Sequence, residues 1–237
     1  MGWKAIRNVP HRAGLRVGTF HNDHPWVGPL VFISSGLYFY AQIAVAWVFQ
    51  PPYSLVGNAI SDLGNTACGR YGDHVVCSPR HWLMNAAFIF LGLVMVLGSM
   101  LIYHEFTEKP RAERIAAFVG FACMAIGGVG AILVGAFPEN TVSGLHVAGA
   151  GLAIGIGNVG IFILGAVLSL PEQMRRYMLL FSIVSITALF LFAFHKYFGV
   201  GAGTMERIAA YPETVWLIIF GLYIWRFHPK DHPTAAS

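Results

Sequence analysis

The stretch Ser54–Pro79 reads SLVGNAISDLGNTACGRYGDHVVCSP and separates two long apolar segments. It contains Asn58, Ser61 and Asp62 together with two of the three cysteines of the chain. The flanking segments are long enough to cross a bilayer, which takes ~20 mostly apolar residues in a helix. No other part of the sequence is so polar between two apolar segments. We therefore predict that this stretch is an extramembrane loop and that a functional site is organised around it.

The composition is that of a protein with several membrane spans. Of the 237 residues, 56% are hydrophobic and only 11% are charged, and the mean hydropathy is +0.62. A soluble domain averages about 25% charged residues. The formal net charge of +4 comes from residues in short loops and tails, where Lys and Arg set membrane orientation. We therefore expect membrane lipids and other membrane proteins as partners, and no nucleic acid.

Six apolar segments predict an all-α bundle of six transmembrane helices. They cover roughly residues 27–49, 82–103, 115–137, 145–170, 177–198 and 209–226. The predicted organisation is a basic cytoplasmic tail (1–26), a six-helix domain (27–226) with a long outer loop (50–81), and a cytoplasmic tail (227–237). Pro212 and Glu213 interrupt the start of the sixth segment, and Pro is tolerated near a helix N-terminus, so this span is expected to begin near Tyr211. On this reading no charged residue lies buried at the membrane midplane.

The distribution of basic residues predicts the orientation. Eleven of the 15 Lys and Arg side chains lie in the N-terminal tail, the C-terminal tail and the loops after the second and fourth spans. The other four, Arg70, Arg80, Lys196 and Arg207, lie at the opposite ends of the spans. Because positively charged loops remain in the cytoplasm, both termini are predicted to be inside.

Cys68 and Cys77 both lie in the loop that this topology places outside. A disulfide between them would close a short loop in an oxidising compartment. Two thiols could also bind a metal, but the usual C-x-x-C spacing is absent. We therefore predict a Cys68–Cys77 disulfide.

Small residues in the third and fourth spans indicate close packing between these helices. Gly151 and Gly155 form a G-x-x-x-G pair, which lets helix backbones approach each other. Asn158, in the middle of the fourth span, is expected to face the bundle and to bond across helices.

Unusual polar residues collect at the outer ends of the spans. They are His81, Glu139, His146, His195, Glu206, Arg207 and Trp216, in addition to Asn58, Ser61 and Asp62 of the loop. Ionisable residues at a membrane boundary are functional-site candidates. Structural alternatives remain open at this point: Ser61 and Asp62 can cap a short helix, and Glu206 can pair with Arg207.

These elements resemble a known family in their order along the chain. Asn58-x-Ile60-Ser61-Asp62-Leu63-Gly64 is followed by Gly135-x-Phe137-Pro138, then by His146, and then by Glu206-Arg207 ahead of Trp216. The pattern, from about Val27 to about Trp225, is similar to six-span prokaryotic membrane proteins catalogued as domain of unknown function 998. The resemblance implies a six-span fold in a prokaryotic plasma membrane, but it implies no activity and no catalytic residues.

Two classes of function fit the outer residues. In the first, a pocket binds a lipid headgroup through Asn58, Glu139, Glu206, Arg207 and Trp216, or the protein is a subunit of a membrane assembly. In the second, a lipid hydrolase binds zinc, the candidate cofactor, because three imidazoles suit this metal and leave a position open for water. The zinc ligands would be His81, His146 and His195. The catalytic residues would be Asp62, as general base or as the orienting partner of a histidine, and Ser61, as a substrate or oxyanion contact.

Overall fold

The computed structural model describes residue 20 and residues 23–72 and 74–227, and it contains six helical spans. Span 1 consists of two helices, Val27–Ile33 and Gly36–Ala46. The other spans are listed with their bounds: span 2, His81–Phe106; span 3, Arg111–Ala136; span 4, Ser143–Val167; span 5, Glu172–Ala193; and span 6, Ala202–Phe227. The predicted all-α membrane bundle is therefore confirmed. The tails predicted at 1–26 and 227–237 lie almost entirely outside the described residues.

The predicted start of span 6 is wrong. Its helix begins at Ala202 and continues without a break through Pro212. Pro212 therefore lies inside the helix, and Glu213 lies eleven residues from its start. At 1.5 Å per residue this is about 16 Å along a helix about 39 Å long. Glu213, which the sequence placed near the start of the span, therefore lies well inside the helix.

The loops after spans 1, 3 and 5 lie at one end of the bundle, which we call the loop face (residues 47–80, 137–142 and 194–201). The first of these loops contains a 3₁₀ turn, Ser61–Gly64, and a small antiparallel hairpin of β1 (Gly69–Tyr71) and β2 (His74–Val76). In this hairpin Gly69 pairs with Val76, which brings the flanking Cys68 and Cys77 together. The predicted Cys68–Cys77 disulfide is confirmed.

Spans 3 and 4 cross at glycines, as the sequence indicated, although not at the predicted pair. A methyl group on Gly149 would lie 2.7 Å from the carbonyl oxygen of Gly130, and one on Gly160 would lie 2.5 Å from that of Gly120. Gly151 has open space where a side chain would be, so the Gly151 and Gly155 pair does not form this contact. Close contact between backbones therefore holds span 3 against span 4.

This packing leads to a prediction for two glycines of the same span. Gly160→Ala is expected to lower the free energy of unfolding by about 1–3 kcal/mol, because the added methyl forces two backbones apart. Gly151→Ala, the control, adds the same methyl where there is space and should change stability much less. Thermal unfolding of both variants in detergent checks this, and equal losses would contradict the glycine contact.

Span 4 is interrupted by a π-helical segment, Gly151–Ile156, between the helices Ser143–Ala150 and Gly157–Val167. Single π turns inside helices are frequent at functional sites. The side chain of Asn158, predicted to bond across helices, instead donates from Nδ2 to the Ile154 carbonyl within its own span at 2.8 Å. The side chain of Asn158 is buried, and it satisfies a carbonyl of the π turn.

Candidate functional site at the loop face

Asp62 is the centre of a hydrogen-bond network that folds the loop onto the bundle. Its side chain is 2% exposed, and its Oδ2 accepts hydrogen bonds from Asn58 Nδ2 and the Ala59 backbone N–H, both at 3.0 Å. Nε2 of His74, in β2, lies 2.9 Å from the same oxygen. The carboxylate of Asp62 therefore ties the 3₁₀ turn to the hairpin, and His74 is a site residue that the sequence analysis did not select.

Arg207 fastens the loop to span 6. Its Nη1 donates to the carbonyl oxygens of Leu55 and Asn58 at 3.0 Å and to that of Gly203 at 2.8 Å. Its Nη2 donates to the hydroxyl of Tyr53, whose ring the guanidinium also covers at 5.4 Å from the centroid. Burial raises the pKa of Tyr53, and the positive charge of Arg207 opposes this rise. The Arg207 side chain thus binds loop carbonyls rather than a carboxylate.

Glu206 and the first turn of span 6 complete this attachment. The Glu206 carboxylate accepts a hydrogen bond from the backbone N–H of Ile60. The Val56 carbonyl accepts hydrogen bonds from the backbone N–H groups of Gly203 at 2.9 Å and Thr204 at 3.3 Å. The first N–H groups of a helix have no hydrogen-bond acceptor within the helix, and here the loop supplies the Val56 carbonyl as the acceptor. Glu206 and Arg207 both bind the loop, and their predicted pairing with each other is not among the described ion pairs.

Glu139 lies beside Asp62 at the end of span 3. Its Oε1 accepts from Asn65 Nδ2 at 3.3 Å, and its backbone carbonyl accepts from the Tyr71 hydroxyl at 3.2 Å. Burial raises the pKa of Glu139 to about 8, the negative charge of Asp62 adds to the rise, and a hydrogen bond with Ser61 opposes it. Within the described residues, no Lys or Arg forms an ion pair with Glu139. Its surroundings therefore favour the protonated, neutral form of this carboxyl.

The three histidines predicted to bind zinc do not form a metal site. Among the described residues, no three His, Cys, Asp or Glu side chains are arranged to hold a metal ion. His146 is buried and its Nδ1 donates to the Phe137 carbonyl at 3.0 Å, whereas His195 is exposed and its Nδ1 lies 2.8 Å from the Tyr197 hydroxyl. His81 is half-buried at the start of span 2, and among the described residues its Nδ1 has no hydrogen-bond partner. The separate surroundings of these rings explain why they do not share one ion.

Two other predicted site residues have mainly structural surroundings. Trp216 is 1% exposed and packs in the core of span 6, with its ring stacked on Phe220 at 4.8 Å and tilted against Phe32 at 5.9 Å. Ser61 is buried in the 3₁₀ turn, and no described hydrogen bond joins it to a histidine. The side chain of Ser61 instead forms a hydrogen bond with the Glu139 carboxyl.

A cavity extends from beneath the 3₁₀ turn into the bundle. Its polar lining consists of Tyr38, Ser61, His146, Glu206, Glu213 and Thr214, and its remaining lining is apolar. Its volume, counted as the space open to the centre of a water molecule, is about 60 Å³. Glu213 was missed as a site residue because Pro212 suggested a helix start. The signal that identifies it is a carboxyl within the stretch 208–225, which contains no other Asp, Glu, Lys or Arg.

A family model matches residues 33–223, and its description is "Protein of unknown function (DUF998)". The chain belongs to this family. The matched region of this DUF998 protein includes the whole loop-face network, from Tyr53 to Arg207, and the cavity beneath it. Comparison of the DUF998 chain with curated proteins and with solved structures found no match.

Proposed function

We propose that this DUF998 protein binds a phospholipid headgroup that carries a primary ammonium group, at the loop face. We place this face on the outer side of a prokaryotic plasma membrane, as the charge asymmetry supports. The proposal rests on Glu139, a half-buried carboxyl that lies near the carboxylates of Asp62 and Glu206 and accepts a hydrogen bond from the neutral amide of Asn65.

The charge balance of the site favours a cationic ligand. Asp62, Glu139 and Glu206 interact electrostatically, and the guanidinium of Arg207 is occupied by loop carbonyls. A proton on Glu139 relieves the repulsion among these carboxylates. The ammonium group of a lipid headgroup can do the same. Binding of the ammonium then displaces the proton, so the affinity should rise as the pH rises towards 8.

Apolar side chains near Glu139 suit a lipid rather than a soluble amine. Val142, in the same loop, is 44% exposed, and Leu145, at the start of span 4, is 40% exposed. A phospholipid bound here would place its headgroup at the carboxyl and its chains along these residues.

We expect the purified full-length protein to retain phosphatidylethanolamine in preference to phosphatidylglycerol in native mass spectrometry. Glu139→Gln should lower the retained phosphatidylethanolamine by about tenfold, as expected for the loss of one charge-assisted hydrogen bond. The control, Glu108→Gln, replaces an exposed carboxyl in the loop after span 2 and should leave retention unchanged.

Equal retention of both lipids, or of phosphatidylethanolamine by wild type and Glu139→Gln, would overturn the headgroup proposal. Copurification of another membrane protein in place of lipid would favour the second candidate, a subunit of a membrane assembly. The observation behind that candidate is span 5, of which only 22% is buried within the chain, compared with 50% for spans 2 and 3.

A further inference from the structure

Glu213 is a buried carboxyl near the middle of span 6. Its side chain is 5% exposed, and within the described residues its Oε1 has no hydrogen-bond partner. Span 4 makes room for it at Gly157, directly after the π-helical segment: a methyl on Gly157 would lie 3.0 Å from the carboxyl carbon of Glu213 and closer still to Oε1. The glycine beside the π turn therefore leaves the space that this carboxyl occupies.

The charge state of such a group follows from its surroundings. An ionised carboxylate without a partner in apolar surroundings costs many kcal/mol, so the group neutralises instead. Spans 2 and 3 contribute only apolar side chains to the cavity: Phe88, Leu91, Met95, Ala131 and Val134. The titratable groups that face the cavity, besides Glu213, are Tyr38 from span 1, His146 from span 4 and Glu206 from span 6. From span 5, the hydroxyl of Tyr177 donates a hydrogen bond to the Pro212 carbonyl. The described residues that line the cavity include no Lys or Arg, so a proton is the cation that neutralises Glu213.

The size of the cavity decides which molecule reaches this carboxyl. A cavity needs roughly 10–15 Å³ on this measure to hold one water molecule. The volume of about 60 Å³ is therefore enough for a few waters and too small for a lipid chain. The cavity also reaches Ser61 and Glu206, directly beneath the loop network. Glu206 and Glu213 are seven residues apart on one helix face, about 10 Å along the axis, a gap that waters can bridge.

We propose that Glu213 is an exchangeable proton-binding site within the membrane, hydrated from the loop face through the cavity that it shares with Glu206. The proton leaves Glu213 for cavity water and returns from it, with no other co-reactant. The proton reaches bulk water along a path past Ser61 and Glu206 rather than through the apolar walls formed by spans 2 and 3. This inference concerns a different carboxyl from the headgroup proposal and stands independently of it.

Infrared difference spectroscopy of the full chain in phosphatidylcholine vesicles tests the proposal. Protonated Glu213 should give a carboxylic-acid carbonyl band at neutral pH, and this band should shift when the buffer is changed to D₂O. Glu139, with a pKa of about 8, also carries a proton at neutral pH, so the variants are compared in the Glu139→Gln background. There Glu213→Gln should remove the band, whereas the exposed-site control Glu108→Gln should keep it. Glu213→Asp should change the frequency of the band rather than remove it. This variant therefore still assigns the band to residue 213 if the Gln variant does not fold.

Three results would overturn the proposal. Absence of the band in the wild-type protein would mean that Glu213 is ionised. A band that persists unshifted in D₂O would mean a sealed structural acid. A band unchanged in both Glu213 variants would assign the proton to another residue. An effect of Glu139→Gln on lipid retention, with the Glu213 band unaltered, would separate the two sites.

Discussion

Replacing Arg207 by Met is expected to release the loop from span 6 and to lower the free energy of unfolding by about 3–5 kcal/mol, the range for breaking a buried charged network. The side chain of Arg207 is 9% exposed and holds three backbone carbonyls and the Tyr53 hydroxyl. Methionine fills similar space but donates nothing, so the Leu55 carbonyl loses this donor and the Asn58 carbonyl keeps the Tyr53 hydroxyl at 3.3 Å. An unsatisfied buried acceptor costs about 1–3 kcal/mol.

Thermal unfolding and limited proteolysis within residues 54–66 measure this effect. Arg207→Lys should be intermediate, because one ammonium cannot reproduce the planar fork of donors. The control is Arg176→Met on span 5, where an exposed Arg pairs with Glu172 four residues earlier at 2.8 Å. Such a surface pair contributes at most about 1 kcal/mol. Unchanged proteolytic protection of the loop in Arg207→Met would contradict the role of this side chain.

The second large effect is a change in the pH dependence of stability in Glu139→Gln. Glu139 has a pKa of about 8 in the folded protein, against an ordinary value of 4.5. Between these values the folded state binds the proton and the unfolded state does not. Stability therefore falls as the pH rises through this window, and the fall is complete above about pH 8.

Glutamine cannot ionise, so Glu139→Gln should remove this loss. At about 1.4 kcal/mol for each pKa unit the full difference is about 5 kcal/mol, and partial exposure reduces the expected gain to about 2–4 kcal/mol. The variant should match wild type at pH 4 and exceed it at pH 9, measured by thermal unfolding without added lipid. Glu108→Gln is the control at each pH. A stability difference that does not vary with pH would show that Glu139 titrates normally.

The membrane architecture could be predicted because it depends on averaged properties of the chain. Hydrocarbon thickness demands long apolar helices, and six such runs are visible without any knowledge of their contacts. The disulfide could be predicted because Cys68 and Cys77 share one short loop. In the structure the hairpin pairs Gly69 with Val76, which brings the two cysteines together. The start of span 6 could not be read in this way, because Pro212 is a strong local signal that neighbouring helices override.

The candidate site was predicted in part. Asp62, Glu139, Glu206 and Arg207 do come together at the loop face, as expected for charged groups that avoid lipid. Their partners could not be predicted, because Arg207 binds carbonyls that only the folded loop presents. The described residues include no group of three side chains arranged as the zinc hypothesis requires, for a related reason: three histidines at one end of the bundle can still point in three directions.

The sequence by itself determined the class of this protein, its six spans, the position of its polar loop and its disulfide, since these follow from apolar length and from local spacing. Only the tertiary structure decided which polar groups meet. Asp62 was placed against His74, Arg207 against the loop carbonyls, and Glu213 against Gly157 in the centre of the bundle. The physical reason is that side-chain partners depend on how helices rotate and cross, and close glycine contacts set that geometry between residues far apart in the chain.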